Sequence, residues 1–175
     1  MIAVTEGRTS ALGVVPKGNF LIFKLYPGRF AKALMESGKL TLYASSSSLD
    51  YVESALTKDL DLIETPIGPG PPSWYLAIEC EVVSLSGEGP WEGRCKPKKA
   101  FSRPSSPPSR SFFFVLEAAI HATRIFLSEE HLLEAKRYLE LAEKYGEEED
   151  LKAVSKIREY LAKYNPKPEV SQDQG

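Results

Sequence analysis

The sequence predicts an α+β fold in which strands come first and helices later, and three observations carry that prediction. Alternating or continuous apolar segments punctuated by Pro and Gly fill the first half. A Pro/Ser connector, SRPSSPPS, occupies 102–109. Beyond it the apolar residues recur at helical spacing to about residue 163. Strands followed by helices imply a curved sheet or small barrel with a helical hairpin packed outside it.

The elements follow in order. Residues 9–15 (TSALGVV) alternate Leu12 and Val14 with smaller neighbours and end at Pro16, the pattern of a strand. Lys17-Gly18 marks a turn, and 19–26 (NFLIFKLY) is a nearly continuous apolar run, as in a strand buried on both faces. Pro27-Gly28 stops it. Residues 29–36 (RFAKALME) space Phe30, Ala33 and Leu34 as a helix closed by Ser37-Gly38. Residues 39–45 (KLTLYAS) alternate again. After four serines, 49–58 (LDYVESALTK) reads as a second short helix. Residues 65–73 (TPIGPGPPS), with four prolines and two glycines, read as a loop. In 74–86, Leu76, Ile78, Cys80 and Val82 alternate against Glu79 and Glu81, predicting a half-buried strand. A Gly-rich turn then leads to a strand around 93–101.

Three helices complete the chain. The first spans 110–127 (RSFFFVLEAAIHATRIFL), apolar nearly all round and therefore expected to be buried. Arg110, Glu117, His121 and Arg124 fall on one stripe of it, the last three within roughly 60° on a helical wheel. Burying these groups is costly unless they pair or meet a polar ligand. Ser128 is placed to cap the second helix, with Glu129 and Glu130 in its first turn and Leu132, Leu133, Ala135, Leu139 and Ala142 on its apolar face. The third begins at 147–150, with Leu151, Val154, Ile157 and Leu161 as its stripe. The expected organisation is a barrel core over 1–109, a helical segment over 110–164 packed on it, and a disordered tail over 165–175.

At 175 residues the chain supports one compact domain. A formal net charge of −2 gives no global pull toward nucleic acid or membrane. The start, MIAVTEGRTS, lacks the basic residues and apolar core of a signal peptide, so the expected location is the cytoplasm. A hairpin centred on Gly87-Glu88 would set Cys95 opposite Cys80, within reach of a disulfide. Two buried thiols is the preferred reading, because cytosolic disulfides are rare.

Lys24-x-Tyr26-Pro27-Gly28-Arg29 ends a strand and opens a helix, where free backbone N–H groups and an Arg fork suit an anion. The alternative is a plain connection with a surface Arg. Residues 94–110 carry Arg94, Lys96, Lys98, Lys99, Arg103 and Arg110, no acid, and Phe101 among them. They suit either a nucleic-acid backbone or a solvated edge strand whose lysines block pairing. Glu117 with His121 reads as an acid–base pair or, with Arg124, as an ion pair. A metal is not expected there, since a His and a Glu one turn apart on one helix supply two ligands and no further His or Cys is close. GxxxxGK[ST], GxGxxG and GxSxG are absent, and the serine run 45–48 has no His or Asp at an informative spacing, which argues against a hydrolase.

The string VLEAAIHATR (115–124) resembles the Glu-Ala-x-x-His-Ala-x-Arg helix of a mainly archaeal flavoprotein family catalogued as domain of unknown function 447. YLAIECEVVSLS resembles its Trp-Leu-Glu-Cys-Glu-Val strand, and 11–16, 26–34 and 40–45 resemble its flavin-proximal section. The resemblance covers about residues 9–160 and is most specific at 110–125. It implies an FMN-binding split β-barrel related in fold to pyridoxamine-phosphate oxidases and flavin reductases, a homodimer with FMN at the subunit interface, and oxidoreductase activity on an unknown substrate. On that basis Lys24, Tyr26, Arg29 and the backbone of Gly28 and Phe30 would hold the phosphate. Tyr43, Ser45 and Ser46 would face the ribityl chain or ring, and His121 and Arg124 would approach the cofactor or lock the dimer. The chain departs from the family at Ala11-Leu12-Gly13-Val14, where members carry Ala-Pro-x-Gly-Val. It departs again at Pro27-Gly28-Arg29-Phe30, where they carry Ser or Thr, and at Ala44-Ser45-Ser46, where they carry Asn-Val-Thr. A barrel that has lost flavin and a nucleic-acid binder using 94–110 are the alternatives.

Overall fold

The computed structural model describes residues 1–58 and 60–164. The expected tail at 165–175 lies outside them. Among the described residues nine strands and five α-helices follow one another: β1 Ile2–Thr5, β2 Arg8–Ala11, β3 Val14–Lys17, β4 Phe20–Leu25, α1 Arg29–Ser37, β5 Lys39–Ser45, α2 Ser48–Val52, a π-helical turn Glu53–Thr57, β6 Ile63–Thr65, β7 Gly68–Gly70, β8 Trp74–Ser86, β9 Trp91–Ser102, α3 Arg110–Ala122, α4 Glu129–Tyr145 and α5 Glu148–Ala162. No described helix is long and apolar enough to cross a membrane.

Seven strands form one antiparallel sheet in the order β2-β1-β5-β8-β9-β4-β3. Its two edge strands are consecutive in sequence, separated only by Leu12 and Gly13. Three Cα steps span no more than about 11 Å. A flat sheet of this many strands would hold its edges about 30 Å apart. The sheet must therefore curl until its edges meet, which makes it a split barrel rather than an open layer. Phe23, Leu25, Leu40, Leu42, Cys80 and Cys95 pack together in the first core, joined by Ala31 and Leu34 of α1. On the other side of β1 and β5, Ile2, Val4 and Tyr43 pack with Trp74 and Ala77, so β1 is buried along its whole length. A third core holds Val52 of α2 against Val115, Leu139, Val154 and Ile157 of the last three helices.

The structure revises several expectations. The strand over 9–15 is two strands, and Pro16 lies inside β3. That is tolerated because β3 is an edge and pairs only with β4. β4 is not buried on both faces, since Lys24 is exposed between buried Phe23 and Leu25. The helix over 49–58 is one short α turn followed by the π turn, closed by Lys58 N–H donating to the Glu53 carbonyl at 2.7 Å. The loop over 65–73 contains part of a hairpin, β6 with β7. Gly70 there lies under the Tyr43 ring, and a Cβ would sit 2.5 Å from it.

The hairpin joining β8 and β9 turns later than Gly87-Glu88, and β8 is irregular at Glu79/Cys80 and Val82/Ser84. Cys95 consequently faces Val82, and Cys80 faces Pro97. Both cysteines are free and buried, the preferred reading. Their side chains still touch, and contact with Cys95 together with burial pushes the Cys80 thiol up. β9 pairs with β4 only over 91–95, so Lys96, Lys98 and Lys99 stand on a stretch of β9 that pairs with β8 alone, as the edge-strand account expects. Lys98 and Lys99 also pair with Glu81 and Glu79 on β8. In the last helices Leu133 and Leu151 are exposed, and the buried faces turn toward Ala135, Leu139 and Ala142 and toward Ala153, Val154 and Ile157.

Candidate functional site

β4 delivers the chain to α1 through Tyr26, Pro27 and Gly28. Period-two alternation puts Phe23 and Leu25 inside the barrel and Lys24 and Tyr26 on its outer face, and Tyr26 is 63% exposed. Gly28 caps α1 without a side-chain hydrogen bond, while its carbonyl accepts from Lys32 N–H at 3.1 Å. The amides of Arg29, Phe30 and Ala31 therefore have no partner within the helix. No acidic residue stands in the first turn. Phe30 packs against the barrel core and fixes the helix, leaving Arg29 exposed at its tip. The site combines oriented N–H groups, a helix dipole, a guanidinium and an exposed phenol, which suits a phosphate-sized anion. Glu92 faces Lys24 across the β4–β9 ladder and offsets its charge. That leaves Arg29 as the principal cation.

The other predicted cofactor residues lie elsewhere. Tyr43 is fully buried, and its hydroxyl bonds Thr65 at 3.0 Å and donates to the Gly68 carbonyl at 3.1 Å. Ser45 is buried and donates to Asp50 at 2.6 Å, while Ser46 donates to the Ser73 carbonyl at 3.2 Å. These residues end β5 beside Trp74, whereas Leu25 ends β4 beside Trp91, so the two groups sit toward opposite ends of β8 and β9. His121 and Arg124 are on α3 and its C-terminal turn. That helix packs on α2, α4 and α5, whereas α1 packs on β1 and β2. A single chain thus does not bring the three groups together.

The polar stripe of α3 also differs from expectation. Glu117 and Arg124 are exposed and make no ion pair among the described residues, and Arg110 stacks on Phe114 and Tyr145. His121 pairs with His131, a partner the sequence reading missed although it is the only other histidine. The apolar positions between, Phe113 and Ile120, are 55% and 41% exposed. One face of α3, with Phe113, Glu117 and Ile120, thus stays exposed. The basic segment is largely committed within the fold. Arg94 covers Phe20, and Arg103 covers Trp74 while donating to the carbonyls of Trp74 and Pro72.

Sequence reading also missed what the serine run does. Ser47 caps α2 and bonds Glu149, Ser48 donates to Asp150 at 2.6 Å, and Ser109, the cap of α3, donates to Asp150 at 2.9 Å. Asp150 in the first turn of α5 thereby ties three helix starts together. The Ser-x-x-Asp spacing of Ser47 and Asp50 was the readable signal. Burial, above all, raises the Asp50 carboxyl above its usual range, against the Ser45 hydroxyl and the Ser73 amide that lower it. A carboxyl raised on folding contributes its stability in full below the unfolded value, about 3.9, and loses it as pH rises through the folded value. Asp50→Asn is therefore expected to melt a few degrees above the parent at neutral and alkaline pH, with the gap closing toward pH ~4. Thermal melts across that range check it.

Residues 109–159 match the family model DUF447_C, described as a protein of unknown function (DUF447). That is the family the 115–124 helix resembles. Among solved structures, the chain is similar to an FMN-bound DUF447 protein from Methanosarcina mazei, at 23% identity and TM-score 0.76, over 91% of this chain and 92% of that one. It is also similar to a homologue of nitrilotriacetate monooxygenase component B from Mycobacterium thermoresistibile (16% identity, TM-score 0.47, 62% of this chain, 70% of that one). A third similarity is to flavoredoxin from Methanosarcina acetivorans (13%, 0.45, 58% and 66%). No curated protein matches the chain. The match to the Methanosarcina mazei DUF447 structure spans nine-tenths of both chains and supports the split-barrel fold read from the curled sheet.

Proposed function

We propose that this protein is an FMN-binding flavoprotein, acting as a homodimeric oxidoreductase on a small substrate, with the FMN phosphate held at the start of α1. The observation that carries the reading is the uncapped, acid-free first turn of α1 with Arg29 at its tip, on a barrel matched over nine-tenths of its length by an FMN-bound relative. The donor set fits the group: free amides of Arg29, Phe30 and Ala31, the Arg29 fork, and Lys24 and Tyr26 beside them. When bound, the flavin supplies the electron-transfer chemistry. The chain binds and orients it, which agrees with the lack of any hydrolytic constellation in the sequence.

A homodimer accounts for the scattered remainder. Arg124, Phe113 and Ile120 on the open face of α3 are available to a partner subunit. A cofactor lying between subunits takes contacts from two protomers that one protomer alone does not bring together. Tyr43 and Ser45, buried and already hydrogen-bonded, hold the fold rather than touch the ligand. Ser46, half-buried, is the member of that group nearest the surface.

Titrating FMN into flavin-free protein and following the quenching of flavin fluorescence tests the reading. The expected result is saturation at one FMN per chain and a yellow protein after desalting. Absence of saturable binding contradicts it. Steep, salt-sensitive binding of single-stranded nucleic acid by a colourless protein would support the basic segment instead.

A further inference from the structure

We propose that His121 and His131 form a two-imidazole site for a divalent transition-metal ion of the Cu²⁺ or Ni²⁺ class, clipping α3 to α4. The two histidines are the only ones in the chain. They lie on either side of the turn joining the helices, and the fold brings Nδ1 to within 2.9 Å of Nδ1. Between two neutral imidazoles at that distance one Nδ1 donates its proton to the lone pair of the other. A metal ion takes both Nδ1 lone pairs once the donor ring carries its proton on Nε2 instead.

At 2.9 Å the two Nδ1 atoms are close enough for one ion to take both as ligands. Imidazole donors completed by water suit Cu²⁺ and Ni²⁺, which stand toward the top of the affinity order of first-row divalent ions. The rings are oriented by packing. His121 stacks on Tyr138 at 5.8 Å and 26°, and Tyr138 stacks in turn on Phe114. Both imidazoles are half-buried, so the site is reachable from solvent. Among the described residues no group of three or more His, Cys, Asp or Glu surrounds a metal. The remaining positions thus belong to water or to an exogenous ligand, which makes the site exchangeable. The site stands apart from α1 and does not depend on flavin binding.

The test uses full-length, tag-free protein titrated with Cu²⁺ and with Ni²⁺, and with Mg²⁺ as control. The expected result is one Cu²⁺ or Ni²⁺ per chain, no Mg²⁺ binding, and nitrogen splittings from two imidazoles in the Cu²⁺ electron paramagnetic resonance spectrum. Removing a partner behind a ligand already lowers affinity 10–100-fold, so removing a ligand in His131→Asn should cost at least about 100-fold. Circular dichroism checks that the variant folds. The spectrum of the unaltered protein needs no variant, so a spectrum without imidazole nitrogen overturns the proposal on its own. It is overturned equally by absence of saturable binding, or by affinity that His131→Asn leaves unchanged.

Discussion

Replacing Gly93 by alanine is expected to destabilise the barrel by about 1–3 kcal/mol, and Phe23→Ala by about 3–5 kcal/mol. The two residues face each other across the β4–β9 ladder, with the Phe23 ring lying over the glycine. A Cβ at Gly93 would stand 2.9 Å from Cδ2 of Phe23 and closer still to its Cε2 and Cζ. That ring is only 2% exposed and is walled in by the first core. It cannot swing away without disturbing Leu25, Cys95 and their neighbours. The two changes should not add. Phe23→Leu vacates part of the space that the added methyl at position 93 needs. The Phe23→Leu, Gly93→Ala double variant should therefore be more stable than the sum of its parts by about 1 kcal/mol or more. Chemical denaturation of both single variants and the double variant measures the coupling. Strict additivity would show that the ring and the glycine are not in contact as described. At this chain length 1 kcal/mol corresponds to about 2–4 °C in Tm.

Arg29→Glu is expected to weaken FMN binding by roughly 30–100-fold while leaving stability unchanged or slightly raised. The binding loss combines a lost charge-assisted hydrogen bond with repulsion of the phosphate, together about 2–3 kcal/mol. The stability prediction has the opposite sign because an acidic side chain in the first turn of a helix favours the helix dipole by about 0.3–1 kcal/mol. α1 carries no acid there now, and Arg29 is exposed. A variant that binds poorly and melts early would point to damage to the fold. One that binds poorly and melts normally points to the site.

Much of this architecture was legible in the sequence because the segments concerned follow one period throughout. Residues 74–86 alternate and form β8 over those same residues, and 29–36 forms α1 to within one residue. The misreadings share a cause, which is that long-range geometry overrides local pattern. Pro16 ends no strand because β3 is an edge, a fact fixed by strand order and not by neighbours. Cys95 misses its place opposite Cys80 because the turn comes later and β8 bulges, which spacing alone does not reveal. The candidate site divides in the same way. The α1 terminus was readable, since Pro-Gly-Arg after an apolar run is a local signal. The burial of Tyr43 was not, because it depends on Gly70 and Thr65 arriving from a Pro-rich segment read as loop. The meeting of His121 and His131 depends on how α3 and α4 pack, and spacing along one helix cannot show it.

The central claim, that the start of α1 holds the phosphate of a flavin nucleotide, is tested most directly by comparing FMN with riboflavin, which differs by that phosphate alone. The account predicts that the protein binds FMN at least about 30-fold more tightly than riboflavin, because the charge-assisted bonds at Arg29 and the α1 amides require the phosphate. Equal affinity for the two ligands would contradict it.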